Sequence, residues 1–463
     1  MQSQENIVKC NDLPKLNDIF DILKPDDNDI ISNEDEIHIE ESAAMLIDAY
    51  IKENVITMHD PAFHDNLYTS VYNILELQFV HLYSYDIEYK LSRIVSQVIY
   101  NYFRLIIPKR SYKNTFIRVK EPNYKKLEEK IKTIEDTPQP DQRTDAWYEF
   151  RHNLITASSA WKALDTQSLQ NQLIYEKCQP LDLSKYKRVN TESPLHWGQK
   201  YEDVSIAYYE YMYDTQVKDY GCIQHHTYKF LGASPDGINV KKNNPLYARM
   251  LEIKNIVNRD ITGIPKREYW VQMQLQMEAC NLNECDFLET RFKEYESEEE
   301  FNNDGVFQKN KNNKQKGIML YFMKDGKPLY EYAPFNCTKS EYEEWEEQMH
   351  EKHKELTWIK NIYWRLEEIS CVLVLRNKEW FADAIKEIEK VWKIIEKERV
   401  EGYQHRAPKR GKRKPREPKK KTTIENVIKI NTEQSTCISL DEHNNPIIKV
   451  RTQSFDDTNI NTT

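Results

Sequence analysis

Leu231-Gly-Ala-Ser-Pro-Asp-Gly237 and Leu251-Glu-Ile-Lys-Asn255 decide the reading of this 463-residue chain, and their acids Asp236 and Glu252 stand sixteen positions apart. Glu252 and Lys254 are two residues apart, so on a strand both side chains leave the same face. Asp236 precedes a glycine at an expected strand end and turn, where an acid can reach the edge of its neighbour. Two adjacent carboxylates repel each other, a cost that a bound Mg²⁺ removes, and oxygen-only ligands suit that hard cation. A lysine beside them can position or help deprotonate a water, which is the equipment of metal-dependent phosphodiester hydrolysis. Either fragment alone has an ordinary explanation, Ser-Pro-Asp-Gly as a turn and Glu-x-Lys as a solvated salt bridge. Flanking elements reverse those odds.

Four further stretches supply them. Asp145-Ala-Trp-Tyr-Glu-Phe-Arg-His-Asn-Leu-Ile-Thr-Ala-Ser-Ser159 offers Arg151 and Ser158, a guanidinium and a hydroxyl suited to a terminal phosphate near a helix start. The plainer alternative is a helix-surface arginine with an N-cap at Thr156 or Ser158. Trp197-Gly-Gln-Lys-Tyr-Glu-Asp-Val204 reads as a helix carrying Glu202, which would ordinarily be solvated. Asp203 competes with it, and Glu210 belongs to the helix surface. In Tyr269-Trp-Val-Gln-Met-Gln-Leu-Gln-Met277, Gln272 and Gln276 share one helical face and Gln274 and Glu278 another. Trp270 and Met273 read as core residues. Lastly, Gly317–Phe322 and Leu329–Tyr332 read as two strands joined by a hairpin turn at Asp325-Gly326.

These ordered blocks resemble the YqaJ-type viral recombinases, the group containing bacteriophage lambda exonuclease, within the PD-(D/E)xK nuclease superfamily. The resemblance spans about residues 143–290, with an extension to 332. It implies an α/β, restriction-endonuclease-like core with a mixed β-sheet flanked by helices. Residue by residue it implies Mg²⁺ held by Glu202, Asp236, Glu252 and the carbonyl of Ile253, with Lys254 serving the water; Mn²⁺ could substitute. It places a 5′-phosphate on Arg151 and Ser158 with Thr156 supporting the turn. A helix glutamine is expected in the active site, with Gln274 favoured and Gln272 second. Ser234 and Pro235 shape the turn, and Ser234 is a candidate DNA contact. The implied activity is 5′-to-3′ degradation of one strand of linear duplex DNA, leaving overhangs for recombination, repair or viral genome processing. DNA ends, a single-strand annealing protein and further copies of the chain are the implied partners. A structure-specific endonuclease of the same superfamily, or a non-catalytic DNA-binding scaffold, are the rival readings.

The rest of the chain divides by composition. A content of 39% hydrophobic and 30% charged residues, with 29 Tyr and 9 Trp, describes a chain able to fold. A net charge of −9 argues against a uniformly basic nucleic-acid wrapper while permitting a local basic channel. Eight cysteines without a CxxC pair disfavour structural zinc and iron–sulfur clusters and fit a reducing intracellular setting. There is no basic-plus-apolar leader and no apolar run of membrane-spanning length. Residues 1–140 are expected as an accessory region with an acidic start, mainly helical, although Leu75, Leu77 and Phe79 alternate as a short strand would. His59, His64 and His81 are packing groups there. Pro138 to Thr144 forms a linker, 141–335 the nuclease core with a surface insertion after Glu294, and 336–402 a helical extension rich in tryptophan. Segment 403–463 is a basic, disordered tail. Arg406 to Lys421 carries ten Lys or Arg against one Glu, suiting phosphate-backbone contact or import to a nucleus or viral replication site.

Overall fold

The computed structural model describes residues 32–79, 85–118, 121–186 and 190–408, with two short strands at 439–440 and 446–447. The chain divides into two compact units, Met1–Ala407 and Pro408–Thr463. In the second, Ser439–Leu440 pairs antiparallel with Pro446–Ile447. Lys409 to Lys421, the bulk of the basic block, lies outside the described residues, as do His81 and the start of the chain before Ser32. No described helix is long and apolar enough to cross a membrane.

Among the described residues the first unit begins with three helices: α1 (Asn33–Asn54), α2 (Phe63–Gln78) and α3 (Tyr85–Leu105). Ser32 and Asp35 form a reciprocal capping box at the start of α1, satisfying amide groups that the first turn cannot pair internally. Every fourth residue of α1 from Ile39 to Ile51 is buried, as are Phe63, Leu67, Val71 and Leu75 of α2. This is the spacing of one helical stripe. The alternation at Leu75, Leu77 and Phe79 does not make a strand: α2 runs through Gln78 and leaves Leu77 in solvent.

Beyond them come α4 (Tyr124–Asp136), α5 (Asp145–His152), β1 (Ile155–Thr156), α6 (Ala157–Ala160), α7 (Gln167–Cys178) and α8 (Pro194–Tyr213). The strands β2 (Val217–Lys218), β3 (Ile223–Gln224), β4 (Leu231–Ala233), β5 (Gly237–Asn239) and β6 (Met250–Asn255) lead into α9 (Arg267–Ala279) and β7 (Glu284–Glu294). Completing the unit are α10 (Glu298–Asn303), β8 (Lys316–Lys324), β9 (Lys327–Tyr332), α11 (Lys339–Lys352), β10 (Thr357–Leu375) and α12 (Lys378–Glu401). Seven strands form one mixed sheet in the order β2-β5-β6-β7-β10-β8-β9, and β1-β4-β3 form a smaller one. Within the large sheet only β6 and β7 run parallel, their crossover being α9; a parallel pair requires such a connection. Asp325 and Gly326 both have positive φ between β8 and β9, the backbone of a tight two-residue hairpin.

The stretch 336–402 is not helical throughout. Its centre is β10, a 19-residue strand inserted between β7 and β8. Ile362, Trp364 and Leu366 are buried at a spacing of two, and the segment is rich in β-branched and aromatic residues, which fit a pleated surface better than a helix. Tryptophans read as one helical array therefore divide between this strand and the helices. Trp380 of α12 meets Trp270 of α9 edge-on at 5.0 Å. The insertion after Glu294 is folded too: Phe301 of α10 is buried and Lys316 donates to its carbonyl.

One apolar core runs from Ile39 in α1 through α9 to Ile395 in α12. Arg110 ties these parts together from a buried position, donating to the carbonyls of His59 (Nη2 at 3.1 Å) and Pro265. Its own carbonyl accepts the Trp270 indole N–H at 2.6 Å, and its N–H donates to His64 Nε2 at 3.1 Å. Burial pushes the imidazoles of His59 and His64 down to about 4, so both are neutral packing groups at pH 7.

Candidate active site

The two deciding stretches meet edge to edge. β5 pairs antiparallel with β6 through Gly237 opposite Leu251, and Asp236 stands at the foot of β5. Its Oδ2 accepts the N–H of Ile253 at 2.7 Å, which fixes the acid between Glu252 and Lys254. The Ser-Pro-Asp segment links the two sheets instead of turning a hairpin. Gly237 is required for a different reason: a Cβ there would lie 2.1 Å from Cγ1 of Val217 on β2, closer than any side chain tolerates.

Glu252 is wholly buried at the sheet centre. Lys254 Nζ donates to its Oε1 and Gln276 Nε2 to its Oε2, the latter at 2.7 Å. A buried carboxylate needs such partners. Burial pushes the Glu252 carboxyl up to about 7, with the Asp236 charge adding to the effect and Lys254 opposing it. Burial also raises Asp236, against Lys254 and the Ile253 amide. For Lys254, burial disfavours the charge, but Glu252 and Asp236 more than compensate and hold it as an ammonium. That ammonium also lies 5.1 Å from the centre of the Tyr269 ring.

Glu202 faces this group from α8, whose start is capped by Ser193 and preset by Pro194. Burial, followed by the charge of Asp236, lifts Glu202 to about 7, with Arg143 pulling the other way. Arg143 Nη2 pairs with Glu202 Oε2 at 3.0 Å from a backbone with φ of 65°. Its segment, read as a linker, is fastened to the core, since Gln142 Nε2 donates to Asp219 Oδ1 at 2.6 Å and Gly221 N–H to Gln139 Oε1 at 2.7 Å. Of its neighbours in α8, Asp203 is exposed, and Glu210 accepts the Val217 N–H at 2.7 Å instead of lying free on the helix surface.

Arg151 and Ser158 come from α5 and α6 on the other side. Arg151 donates to Ser234 Oγ at 3.0 Å and to Ser158 Oγ at 3.4 Å, and its guanidinium stacks 4.2 Å from the Trp147 ring centre. Thr156 is buried, with Oγ1 3.3 Å from Ser158 Oγ and 3.0 Å from Ser159 Oγ. Behind this group, Lys177 donates to the Arg151 carbonyl at 2.7 Å, while burial and the charges of Arg151 and Arg399 depress its ammonium to about 7. A cavity of about 740 Å³ is lined by Arg143, Arg151, Ser158, Glu202, Ser234, Asp236, Ile253 and Lys254, and further by Tyr269, Gln272 and Gln276.

Gln274 is not among them. Its Nε2 donates to the Leu375 carbonyl at 2.9 Å and its Oε1 accepts the Asn377 N–H at 2.8 Å, joining α9 to the end of β10. Gln276 is the glutamine that touches an acid of the site. The shared helical face of Gln272 and Gln276 was the signal for it, because both line the cavity. Arg143 had no signal in the sequence: it stands between two polar residues in an irregular stretch.

Among the described residues no three of His, Cys, Asp and Glu close into a metal-holding group. An open site is nonetheless compatible with Mg²⁺, which keeps several waters and binds through one or two carboxylates. Asp236, Glu252 and the Ile253 carbonyl supply oxygen donors only, and the charge of Asp236 pushes both Glu252 and Glu202 upward, marking negative charge that a divalent cation would relieve.

Residues 146–283 match the family model described as the YqaJ-like viral recombinase domain. The chain is 29% identical to an uncharacterized protein of Acanthamoeba polyphaga mimivirus, over 60% of this chain and 56% of that protein. It thus spans little more than half the length of that relative. Among solved structures, it is similar to an alkaline exonuclease from Laribacter hongkongensis, at 20% identity and a TM-score of 0.33, covering 55% of this chain and 94% of that one. The same enzyme in complex with dAMP matches at 18% identity and a TM-score of 0.32, with the same coverage. The stretch that supplies every cavity residue from Trp147 to Gln276 therefore lies within the residues that are similar to the YqaJ-like viral recombinase domain.

Proposed function

We propose that this chain is a nuclease acting on DNA, and more specifically a Mg²⁺-dependent 5′-to-3′ exonuclease that shortens one strand of linear duplex to leave single-stranded overhangs. The observation that carries the reading is that Asp236 and Lys254 line the same cavity as Arg151 and Ser158, with Glu252 buried and bonded to Lys254. In this reading Arg151 and Ser158 register the terminal phosphate through charge-assisted hydrogen bonds, and stacking on Trp147 keeps the guanidinium aimed. Glu202, Asp236, Glu252 and the Ile253 carbonyl would hold the metal. When bound, Mg²⁺ supplies charge stabilisation at the phosphate and acidifies the attacking water. Lys254 orients that water, and Gln276 keeps Glu252 turned toward it. Since phosphate contacts carry little sequence information, sequence selectivity should be low.

Incubation with 5′-phosphorylated linear duplex and Mg²⁺ tests the proposal. Mononucleotides should be released from the 5′ end, and Asp236→Ala, Glu252→Ala and Lys254→Ala should each abolish release. Absence of release, or release indifferent to these changes, overturns it. A closed circular duplex should remain intact; cutting it would favour a structure-specific endonuclease.

A further inference from the structure

A second cavity, of about 720 Å³, opens where the central strands begin, away from the acids of β6. Its walls come from the N-terminal half of α4, from Pro245 to Arg249 ahead of β6, from Asn281 to Glu284 ahead of β7, and from Arg376 and Lys378 after β10. Register explains the distance between the two cavities. Met250 pairs with Cys285 and Leu375 with Glu284, so this end of the sheet holds the starts of β6 and β7 and the end of β10, while Glu252 and Lys254 lie further along β6.

The charges here are unbalanced. Arg249 is taken by Glu284 and Asp286, Arg118 by Glu284, and Arg376 by Glu278. Lys126, Lys130 and Lys378 have no carboxylate partner among the described residues; Lys130 donates only to the Asn281 carbonyl, at 2.5 Å. Against these three ammonium groups stands one uncommitted acid in the lining, Glu121. Burial lowers the Lys130 ammonium, and Arg376, Lys126 and Lys378 lower it further, as expected of cations crowded without a counter-charge. Asn123, Asn281 and Asn283 add amides, while Pro122, Pro245 and the part-exposed ring of Tyr124 give flat apolar walls.

Clustered ammonium groups beside a flat apolar wall suit a phosphate attached to an aromatic ring, and the volume lies within the range of small-ligand sites. We propose that this cavity binds a nucleoside monophosphate, its phosphate on Lys126, Lys130 and Lys378 and its base against Tyr124, as a site separate from the acidic cavity. The assignment does not depend on the nuclease reading.

Equilibrium dialysis of labelled adenosine monophosphate, without divalent ions and at low salt, tests it on full-length Arg151→Ala, in which the phosphate clamp of the other cavity is lost. One saturable site per chain is expected. Adding Lys126→Ala and Lys378→Ala, both exposed lysines, should weaken it at least tenfold with an unchanged thermal melt, and Tyr124→Leu should weaken it several-fold. Inorganic phosphate should compete at least tenfold less well than the nucleotide. No saturable binding in Arg151→Ala, or binding indifferent to the two lysine changes, overturns the site. Equal competition by inorganic phosphate removes the nucleoside from the proposal. Displacement by an unphosphorylated single-stranded oligonucleotide at lower concentration than the nucleotide replaces it with a DNA strand.

Discussion

Gln274 and Gln276 stand two positions apart on α9, are both fully buried, and serve different ends. Replacing Gln276 with alanine removes a hydrogen bond to an ionisable carboxylate, worth about 1.5–3 kcal/mol. Nucleotide release at saturating DNA should therefore fall roughly ten- to hundredfold, together with a loss of stability from the stranded Glu252 oxygen. Gln274→Ala should lose stability alone. It strands the Leu375 carbonyl and Asn377 N–H, costing about 1–3 kcal/mol in a denaturant melt, while single-turnover cleavage stays near the parent rate. The acids make a further prediction through pH. Glu202 and Glu252 are lifted from 4.5 to about 7, so the folded state binds their protons more tightly than the unfolded chain does. The stability they contribute is complete below 4.5 and is lost as pH rises through about 7. Mg²⁺ favours the ionised forms, so it should raise the melting temperature more at pH 8 than at pH 5.5; equal shifts would contradict Glu202 and Glu252 as ligands. Asp236, Glu252 and Lys254 were legible as a group because a spacing of two on a strand fixes which side chains share a face. The choice between Gln274 and Gln276 was not, since it depends on which face of α9 meets the sheet.

Among elements, the sharpest contrast lies between α3 and β10. α3 declared itself through Leu91, Ile94 and Val95, which are buried at helical spacing, whereas β10 was hidden by tryptophans that suggested a helical array. A strand with both neighbours in place draws its register from β7 and β8, which are far away in sequence, and local pattern cannot report that. Two register shifts, at Trp358/Lys360 and Leu366/Glu368, break the alternation further. Gly317 offers a test at this scale. A Cβ there would lie 2.6 Å from the Trp364 ring, so Gly317→Ala should destabilise the chain by about 1–3 kcal/mol through overpacking. Trp364→Leu should relieve part of that loss in a double-mutant cycle.

For the whole molecule, the sequence reading treated the regions around the nuclease core as additions, yet they share its apolar interior. The buried guanidinium of Arg110 is the clearest tie, and Arg110→Ala should cost about 1–3 kcal/mol by leaving the carbonyls of His59 and Pro265 unpaired. Unfolding should stay a single transition, because one core spans α1 to α12. The basic block has a different character. Arg406 is engaged by Glu398 at 2.5 Å, so only the cations after it are proposed for DNA. Deleting 409–421 should weaken DNA binding and flatten its dependence on salt, with cleavage at saturating DNA retained.

The place of β10 between β7 and β8 also bears on how the protein is made. As the chain leaves the ribosome, the strands carrying Asp236 and Glu252 emerge long before Leu375, and until then β7 has an open edge. Such an edge invites pairing with another nascent chain. A fragment ending at 335, which the sequence alone would recommend, should accordingly precipitate or require a chaperone. Asp236 and Glu252 are translated first, but the sheet beneath them closes only after Leu375 has emerged.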